Sequence, residues 1–454
     1  MADFLGYHCS VCGRAYGPDE VVYTCLDDGA NLDVLLDYAG IRGRNAWDEI
    51  NSSNDFSIWR YLPLLPVADP GHLGTPLRSV GWTPLMRPAR LARQLGLSDL
   101  WLKDDGRNPT ASFKDRASAV VVARAQSIGA QVVVTASTGN AGAALAGMAA
   151  AAGLPAVILA PKTAPPAKVA QLLIFGARVI LVDGTYDQAF DLTVEASAAF
   201  GWYCRNTGYN PFTVEGKKTA AFEICEQLTL AVSTGPGAAH EPPLREPRLQ
   251  EPPLQEPRLH EAPLRKPAQR WAVPDAVFVS VGDGNIVSGL HKGFKDLLAL
   301  GWIDPMPRLY GVQSEGSAAI YNAFVAGSES VQAVHAATIA DSISVDLPRD
   351  GLRAVRAARE TGGAYLAVPD SEILNAMREL GHEGVFAEPA GAAAYAGLIE
   401  AVRKRLVDPE ERVVVLITGS GLKDVRAAMQ AAGEAVVVEP TLAALTKAIE
   451  PRVM

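Results

Sequence analysis

The 454-residue sequence predicts an α/β fold of two three-layer αβα subdomains built on parallel sheets, preceded by a small cysteine-bearing module. Short β-branched runs recur along the chain, and most are followed by Gly, Ser or Pro and then by an Ala-rich helical stretch. Continuous apolar runs of this kind are typical of strands buried on both faces of a sheet. Their alternation with helices predicts parallel sheets covered by helices.

The composition and charge exclude several classes of protein. Hydrophobic residues make up 48% and charged residues 20% of the chain, as in ordinary globular proteins. The net charge of −9 disfavours nonspecific binding to nucleic acid or to an anionic membrane. The longest apolar stretches, such as residues 141–152, are too short to span a bilayer. The N-terminus has no basic stretch followed by an apolar run, so no secretory signal is predicted and we expect a cytoplasmic protein.

Residues 1–38 are predicted to form a separate module that resembles a zinc ribbon. Cys9 and Cys12 form a CxxC pair, and Cys25 stands where a second pair would begin. A full ribbon would have cysteine at position 28, which is an aspartate in this chain. Because zinc accepts thiolate and carboxylate ligands, the candidate metal ligands are Cys9, Cys12, Cys25 and Asp28. The alternative is a ribbon-like module that has lost its metal; a disulfide is disfavoured without an export signal.

The main α/β body is predicted to span residues 39–430, with a C-terminal segment at 431–454. Five of its strands are predicted at residues 131–135, 155–160, 178–182, 276–281 and 412–417. In parallel sheets, ligands bind beyond the carboxyl ends of the strands. We therefore expect the functional residues in the loops that follow these strands.

A proline-rich insertion at residues 236–270 interrupts this body. Within it, residues 241–265 repeat a five-residue unit: EPPLR, EPRLQ, EPPLQ, EPRLH, EAPLR. Proline recurs too often for a helix or a central strand, and the isolated leucines lack partners for a core. We expect an extended, largely disordered insertion after a helix at about residues 217–231. It is either an interaction segment or a neutral expansion of a surface loop.

The first candidate functional residue is a lysine at a predicted helix start. In residues 108–116, NPTASFKDR, the first letters indicate a turn, and the Ala- and Val-rich run to residue 125 indicates a helix. Lys114 therefore lies near a helix N-terminus, where the helix dipole opposes its positive charge. Together with burial, this lowers the pKa of the amine and frees it for imine formation. A Lys-Asp-Arg run alone is also typical of a solvated helix start. The other loops therefore determine whether Lys114 is read as a reactive lysine.

A second candidate is the loop TASTGNAG at residues 135–142, between a predicted strand and an Ala-rich helix. Its small residues let a ligand approach the backbone. A carboxylate or phosphate can be bound there by free helix N–H groups and by the side chains of Ser137, Thr138 and Asn140. The alternative is an ordinary helix cap, which needs only one such side chain. Three in one loop favour ligand binding.

Two further glycine-rich turns follow predicted strands. Backbone N–H groups can converge on a phosphate in the turn formed by Gly282, Asp283, Gly284, Asn285 and Ile286. A carboxylate is unusual beside phosphate, so we expect the Asp283 side chain to point away. The second turn, TGSGLKD at 418–424, begins at Thr418, whose hydroxyl can meet a heteroatom of a bound ring. Each turn is weak evidence when taken alone.

A reactive lysine, a phosphate turn, a carboxylate-binding loop and a partner for a ring nitrogen are together the components of pyridoxal 5′-phosphate (PLP) chemistry. The motifs SFKDR, STGN, VGDGN and TGSGLKD, in this order and behind a cysteine module, resemble the threonine synthases. That family belongs to the fold type II PLP enzymes, which are similar to the tryptophan synthase β subunit. The resemblance covers about residues 5–430, apart from the insertion.

The resemblance implies a role for each motif. Lys114 would hold PLP covalently and act as a general base, and Asn140 would bond the ring hydroxyl oxygen. The 282–286 backbone would hold the cofactor phosphate, and Thr418 would face the ring nitrogen. Ser137 and Thr138 would bind the α-carboxylate of an amino-acid substrate. The family reaction converts O-phosphohomoserine and water to threonine and phosphate, usually in a homodimer.

Two positions depart from the family pattern. Thr213 is the candidate substrate-binding residue where the family commonly has an arginine for the substrate's phosphate, and Ala141 replaces a frequent threonine. A phosphate without arginine loses a strong charge-assisted contact. Possible replacements, each of a type found more often at the surface, are Arg205, Lys217 and Lys218. The alternatives are therefore another PLP lyase or β-replacing enzyme, similar to serine/threonine dehydratase or cysteate synthase, and a noncatalytic protein of the same fold.

Overall fold

The computed structural model describes residues 4–137, 139–164, 166–234, 270–433 and 435–449. Thr138 and nearly all of the predicted insertion lie outside these residues, so those predictions are not tested. Within the described ranges, no helix combines the length and apolarity needed to cross a membrane.

The N-terminal module is a three-stranded antiparallel sheet with its central strand first in the chain. Its strands are β1 (Phe4–Cys9), β2 (Ala15–Tyr16) and β3 (Leu32–Leu36), in the order β2-β1-β3. The module packs on the body through aromatic edges, since the rings of Phe4 and Tyr7 lie 5.9 and 6.4 Å from that of Phe212. Polar contacts add to this, because Arg353 donates to Leu32 O at 3.1 Å and to Asp33 Oδ1 at 2.8 Å.

Two further sheets confirm the predicted α/β class. One is a parallel sheet of order β8-β7-β6-β9, and the other is a six-stranded sheet of order β12-β11-β10-β13-β5-β4, parallel except for β4. The strands are β4 (Leu85–Met86), β5 (Asp99–Asp104), β6 (Val133–Ala136), β7 (Ala156–Pro161), β8 (Arg178–Val182), β9 (Tyr203–Cys204), β10 (Ala276–Ser280), β11 (Arg308–Ser314), β12 (Ala364–Val368) and β13 (Arg412–Ile417).

The five predicted strands are all present, with ends displaced by at most two residues. The helix predicted at about 217–231 is present at Thr219–Thr234, and a separate short helix, Phe212–Lys217, precedes it. The helices up to the insertion are α1 (Tyr38–Gly43), α2 (Ala46–Asn51), α3 (Ala89–Leu95), α4 (Lys114–Ser127), α5 (Asn140–Ala151), α6 (Pro166–Ile174), α7 (Tyr186–Phe200), α8 (Phe212–Lys217) and α9 (Thr219–Thr234).

After the insertion, α10 (Asn285–Leu300) leads out of β10, and the chain closes with helices α11 (Ala319–Val325), α12 (Gly351–Glu360), α13 (Asp370–Gly381), α14 (Pro389–Arg403), α15 (Val425–Ala432) and α16 (Leu442–Ile449). Helix α4 packs tightly on α8: a Cβ on Gly216 would lie 2.1 Å from Arg116 O. Arg116 is itself fully buried and pairs with Asp105 and Glu223, both at 2.6 Å. These contacts fix the start of α4, where Lys114 lies.

Candidate active site

A cavity lies at the carboxyl ends of β10 and β13. Lys114, Thr418 and all five residues of the 282–286 turn line it. The structure thus brings together three of the four predicted motifs around one space. Residues that the sequence did not single out also line it, namely Thr207, Ser342, Ile343 and Glu388.

Backbone hydrogen bonds hold Lys114 beside the 418–421 turn. Phe113 N donates to Thr418 O at 2.9 Å, and Ser420 N donates to Ala111 O at 3.1 Å. Ala111 has a left-handed φ of 63°, which turns the chain back toward β13 before α4 begins. The position of Lys114 is therefore fixed by backbone hydrogen bonds to the turn that follows β13.

The Lys114 side chain is partly buried, and the loss of water around its amine lowers the pKa below the ordinary value. Glu388 opposes this shift through its negative charge, and Arg205 adds to it. Burial raises the pKa of Glu388 in turn to about 7, while the nearby lysines limit the rise. The pair therefore combines an amine and a carboxyl whose titration ranges have moved toward neutral pH, as expected of groups that transfer protons.

Glu388 is 3% exposed and contacts the predicted ring-binding residue. Asn140 Nδ2 donates to Glu388 Oε1 at 2.7 Å and to Ser342 Oγ at 3.3 Å. Glu388 N also donates to Gly419 O at 3.0 Å, so the carboxyl is fixed between α5 and the 418–421 turn. The sequence gives only a weak signal for this residue. Glu388 precedes a proline at the start of α14, a pattern that marks a helix start and not a functional site.

The 282–286 turn leads from β10 into α10 and presents the helix N-terminus to the cavity. The first N–H groups of a helix have no intrahelical acceptor, which suits them to an anion. Gly284 has a φ of +90°, and a Cβ there would lie 2.7 Å from Asp350 O. Asp283 lines the cavity. One oxygen of its carboxylate, Oδ1, accepts a hydrogen bond from Arg349 N at 3.3 Å.

Two predicted substrate-binding residues lie near the cavity and outside its lining. Ser137 is 6% exposed and accepts from Gly139 N at 3.1 Å. Thr213 is fully buried and donates to Asn210 O at 2.7 Å, with Asn285 Oδ1 at 3.1 Å. Thr138 belongs to the residues that are not described. The functions assigned to these residues stay predictions.

The four candidate metal ligands of the N-terminal module converge. Their ligand atoms all lie within 4.8 Å of one another. Cys12 Sγ lies 3.6 Å from Cys25 Sγ, and Cys9 Sγ lies 3.5 Å from the Asp28 carboxylate. Tetrahedral zinc with bonds of 2.0–2.3 Å holds its ligands about 3.3–3.8 Å apart, so the set fits that ion.

Comparisons with known proteins agree with this geometry. Residues 77–239 and 265–419 match the family described as "Pyridoxal-phosphate dependent enzyme". The threonine synthase of Methanocaldococcus jannaschii is 35% identical over 95% of this chain and 96% of its own length. That of Methanosarcina acetivorans is 34% identical over 98% of both chains. Among solved structures, processed threonine deaminase isoform 2 from Solanum lycopersicum aligns with a TM-score of 0.59 at 20% identity, covering 88% of this chain and 95% of that one.

The lysine, the glycine turns and the family match together define a PLP-dependent enzyme of fold type II. Near-full-length identity of about one third then shows that the chain belongs to the threonine synthase family. The residues fit the cofactor, since an amine of lowered pKa, a helix N-terminus and a strand-end hydroxyl face a single cavity.

Proposed function

We propose that the protein is a PLP-dependent threonine synthase that converts O-phosphohomoserine and water to L-threonine and phosphate. The observation that carries the proposal is Lys114, which lines one cavity together with the 282–286 turn and Thr418 in a chain of this family. Phosphate leaves from Cγ of the substrate, and water adds at Cβ, so the reaction balances with no other reactant. The enzyme is a lyase acting on a carbon–oxygen bond.

In this proposal the residues of the chain hold PLP as follows. Lys114 forms the covalent link, Asn140 bonds the ring hydroxyl oxygen, and the N–H groups of residues 282–286 bind the phosphate. When bound, PLP draws electrons from the α-carbon of an amino acid joined to it. Thr418 offers the ring nitrogen a neutral hydroxyl, so the ring is left largely unprotonated and is a milder electron sink than with a carboxylate. Such a sink favours elimination and replacement.

Lys114 is also proposed as the general base. Its lowered pKa increases the neutral fraction that can take the proton from Cα and later deliver protons along the substrate chain. Glu388 lies close enough to influence the charge of this amine, and with a pKa of about 7 it can both hold and release a proton near neutral pH. We propose that Ser137, with Thr138, binds the α-carboxylate and so orients the Cα–H bond toward Lys114.

The test of the lysine has two parts. Borohydride treatment of the yellow enzyme, followed by peptide mass spectrometry, should place a PLP adduct on the peptide that contains Lys114. Lys114→Ala should abolish threonine formation, with partial rescue by added amines, whereas the surface variant Lys295→Ala should retain it. An adduct on another lysine, or full activity of Lys114→Ala, contradicts the assignment.

The alternative is a PLP lyase or β-replacing enzyme that acts on serine, threonine, cysteine or a sulfonated or phosphorylated analogue. Thr213 favours it, because no arginine stands at the family's phosphate-binding position. Product analysis separates the two: threonine and free phosphate from O-phosphohomoserine support the synthase. Keto acid and ammonia from serine or threonine, without threonine synthesis, support the alternative.

We further propose that the module of residues 1–38 binds one zinc ion through Cys9, Cys12, Cys25 and Asp28. The spacing of their ligand atoms supports this. Elemental analysis of protein prepared without chelator should give about one zinc per chain, as expected of a closed four-ligand site. Asp28→Cys should retain the metal and Asp28→Ala should weaken it. A wild-type protein free of zinc when prepared in zinc-supplemented medium would contradict the proposal.

The family resemblance also supports a homodimer in the cytoplasm, which we propose for this chain. Sedimentation of the holoenzyme should give twice the mass of the 48.0 kDa chain. A monomer at assay concentration would contradict the dimer.

A further inference from the structure

Two buried cations near the cavity have no ion-pair partner among the described residues. Arg205 and Lys217 are fully buried, and neither makes an ion pair within the part of the chain that the structure describes. Arg205 donates through Nη1 to Thr207 Oγ1 at 2.6 Å and through Nε to Ser118 Oγ at 3.2 Å. Its third nitrogen, Nη2, is buried without a hydrogen-bond partner. Side chains of this type are usually found at the surface, but these two are buried.

The neighbouring cation behaves differently. Lys218 is equally buried, yet it pairs with Glu215 at 2.5 Å and with Asp296 at 2.8 Å. Its charge is therefore neutralised inside the protein and is not available to a ligand. Arg205 and Lys217 therefore remain as the cations that could replace the family's arginine.

A buried cation without a partner is costly, because it has lost water and gained no opposite charge. Burial lowers the pKa of Lys217 well below its ordinary value, with further lowering by Arg205 and Lys114. Asp350 and Asp283 act on Lys217 through their negative charge, and Asp283 and Asp115 act on Arg205, but none of these carboxylates forms an ion pair with either cation among the described residues. Burial raises the pKa of Asp283, and its Oδ1 accepts from a backbone N–H. An anionic ligand would remove the cost.

The positions of these cations agree with a ligand in the cavity. Lys217 lines the cavity and donates to Asn285 Oδ1. Thr207, which holds Arg205, lines it as well. Thr213 lies four residues before Lys217 on the same face of α8 and contacts the same Asn285 oxygen at 3.1 Å. Lys217 therefore places an amine one helical turn from the position where the family has its arginine, and a bound anion would favour the charged form of that amine.

We propose that Arg205 and Lys217 bind the phosphate monoester of the substrate in place of the arginine absent at position 213. This inference rests on the proposed function, in which the substrate carries a phosphate on Cγ. Arg205 offers Nη2 to a phosphate oxygen, and Lys217 supplies a second charge-assisted contact. The backbone N–H groups of the 282–286 turn are left for the phosphate of the cofactor.

The test uses Arg205→Gln and Lys217→Gln, which remove an unpaired buried charge and keep a polar group. In each holoenzyme, the KM for O-phosphohomoserine should rise about 30-fold or more, since a charge-assisted contact is lost. Inorganic phosphate should lose affinity by a similar factor in equilibrium dialysis. The affinity for PLP, from titration of its visible absorbance band, should stay within about threefold of the wild type. Lys295→Gln, a surface variant on α10, should change none of these values.

A second variant tests the position. Lys217→Gln combined with Thr213→Arg restores the family's arginine and should return the KM toward the wild-type value. An unchanged KM in both single variants overturns the proposal. A fall in PLP affinity that parallels the rise in KM also overturns it, because the cations would then serve the cofactor. If the wild type binds inorganic phosphate through these residues but makes no threonine, the phosphate site stands and the proposed function fails.

Discussion

The raised pKa of Glu388 predicts that replacing this carboxyl stabilises the cofactor-free protein at alkaline pH. Burial moves the pKa from an ordinary 4.5 to about 7 in the folded chain. The folded state therefore holds this proton more tightly than the unfolded state does. Wild-type stability should fall as the pH rises from about 4.5 to about 7 and should then level off. The total loss is about 3 kcal/mol, at 1.36 kcal/mol for each pKa unit.

Glu388→Gln removes the ionisation and keeps an oxygen that can accept from Asn140 Nδ2. Denaturant unfolding of cofactor-free protein should show the variant about 2–3 kcal/mol more stable than the wild type at pH 8. At pH 5 the two should agree within about 1 kcal/mol. Glu410→Gln, at an exposed position, serves as the control and should show no such pH dependence. A variant that is no more stable than wild type at pH 8, or that differs equally at both pH values, refutes the reasoning.

Three other changes have definite expected outcomes. Thr418→Asp should protonate the ring nitrogen of bound PLP and raise the ratio of keto acid to threonine; an unchanged ratio in product analysis counts against the assigned contact. Glu223→Gln should lower the free energy of unfolding by about 3–5 kcal/mol, because Arg116 at 2.6 Å and Lys103 at 2.8 Å lose a buried counterion; a loss below about 1 kcal/mol in denaturant titration argues against it. Gly216→Ala should lower the Tm by several degrees, since its Cβ would meet Arg116 O at 2.1 Å, whereas Gly43→Ala, with open space around it, should not.

The sequence predicted the parallel sheets and the lysine turn because both depend on local patterns. Buried strands such as β10 and β13 are continuous β-branched runs, and glycine-rich turns follow them directly. Lys114 was placed correctly at a helix start, since the turn residues before it and the apolar run after it are contiguous. The strands β5, β11 and β12 were not predicted, because their runs mix charged or small residues with apolar ones.

Other parts of the site arise only from tertiary structure. Glu388 is 274 positions beyond Lys114 in the chain, and its proximity depends on the hydrogen bond from its N–H to Gly419 O. Ser342 and Ile343 reach the cavity on a short 3₁₀ helix that has no motif of its own. The burial of Lys217 could not be read from a Lys-Lys pair, which is usually solvated. Its neighbours α4 and α10 bury it.

The contact of the cysteine module with α8 affects how the enzyme can be divided for experiments. A fragment limited to residues 77–419, the ends of the family match, would lose the aromatic cover over Phe212. It would also lose the ion pair between Arg353 and Asp33, so that Arg353 would keep only its pair with Asp350. Because α8 carries Thr213 and Lys217, such a fragment would lack support beneath the helix that we propose to bind the substrate. We therefore expect that engineered fusions and truncations must retain the first 38 residues to keep substrate affinity.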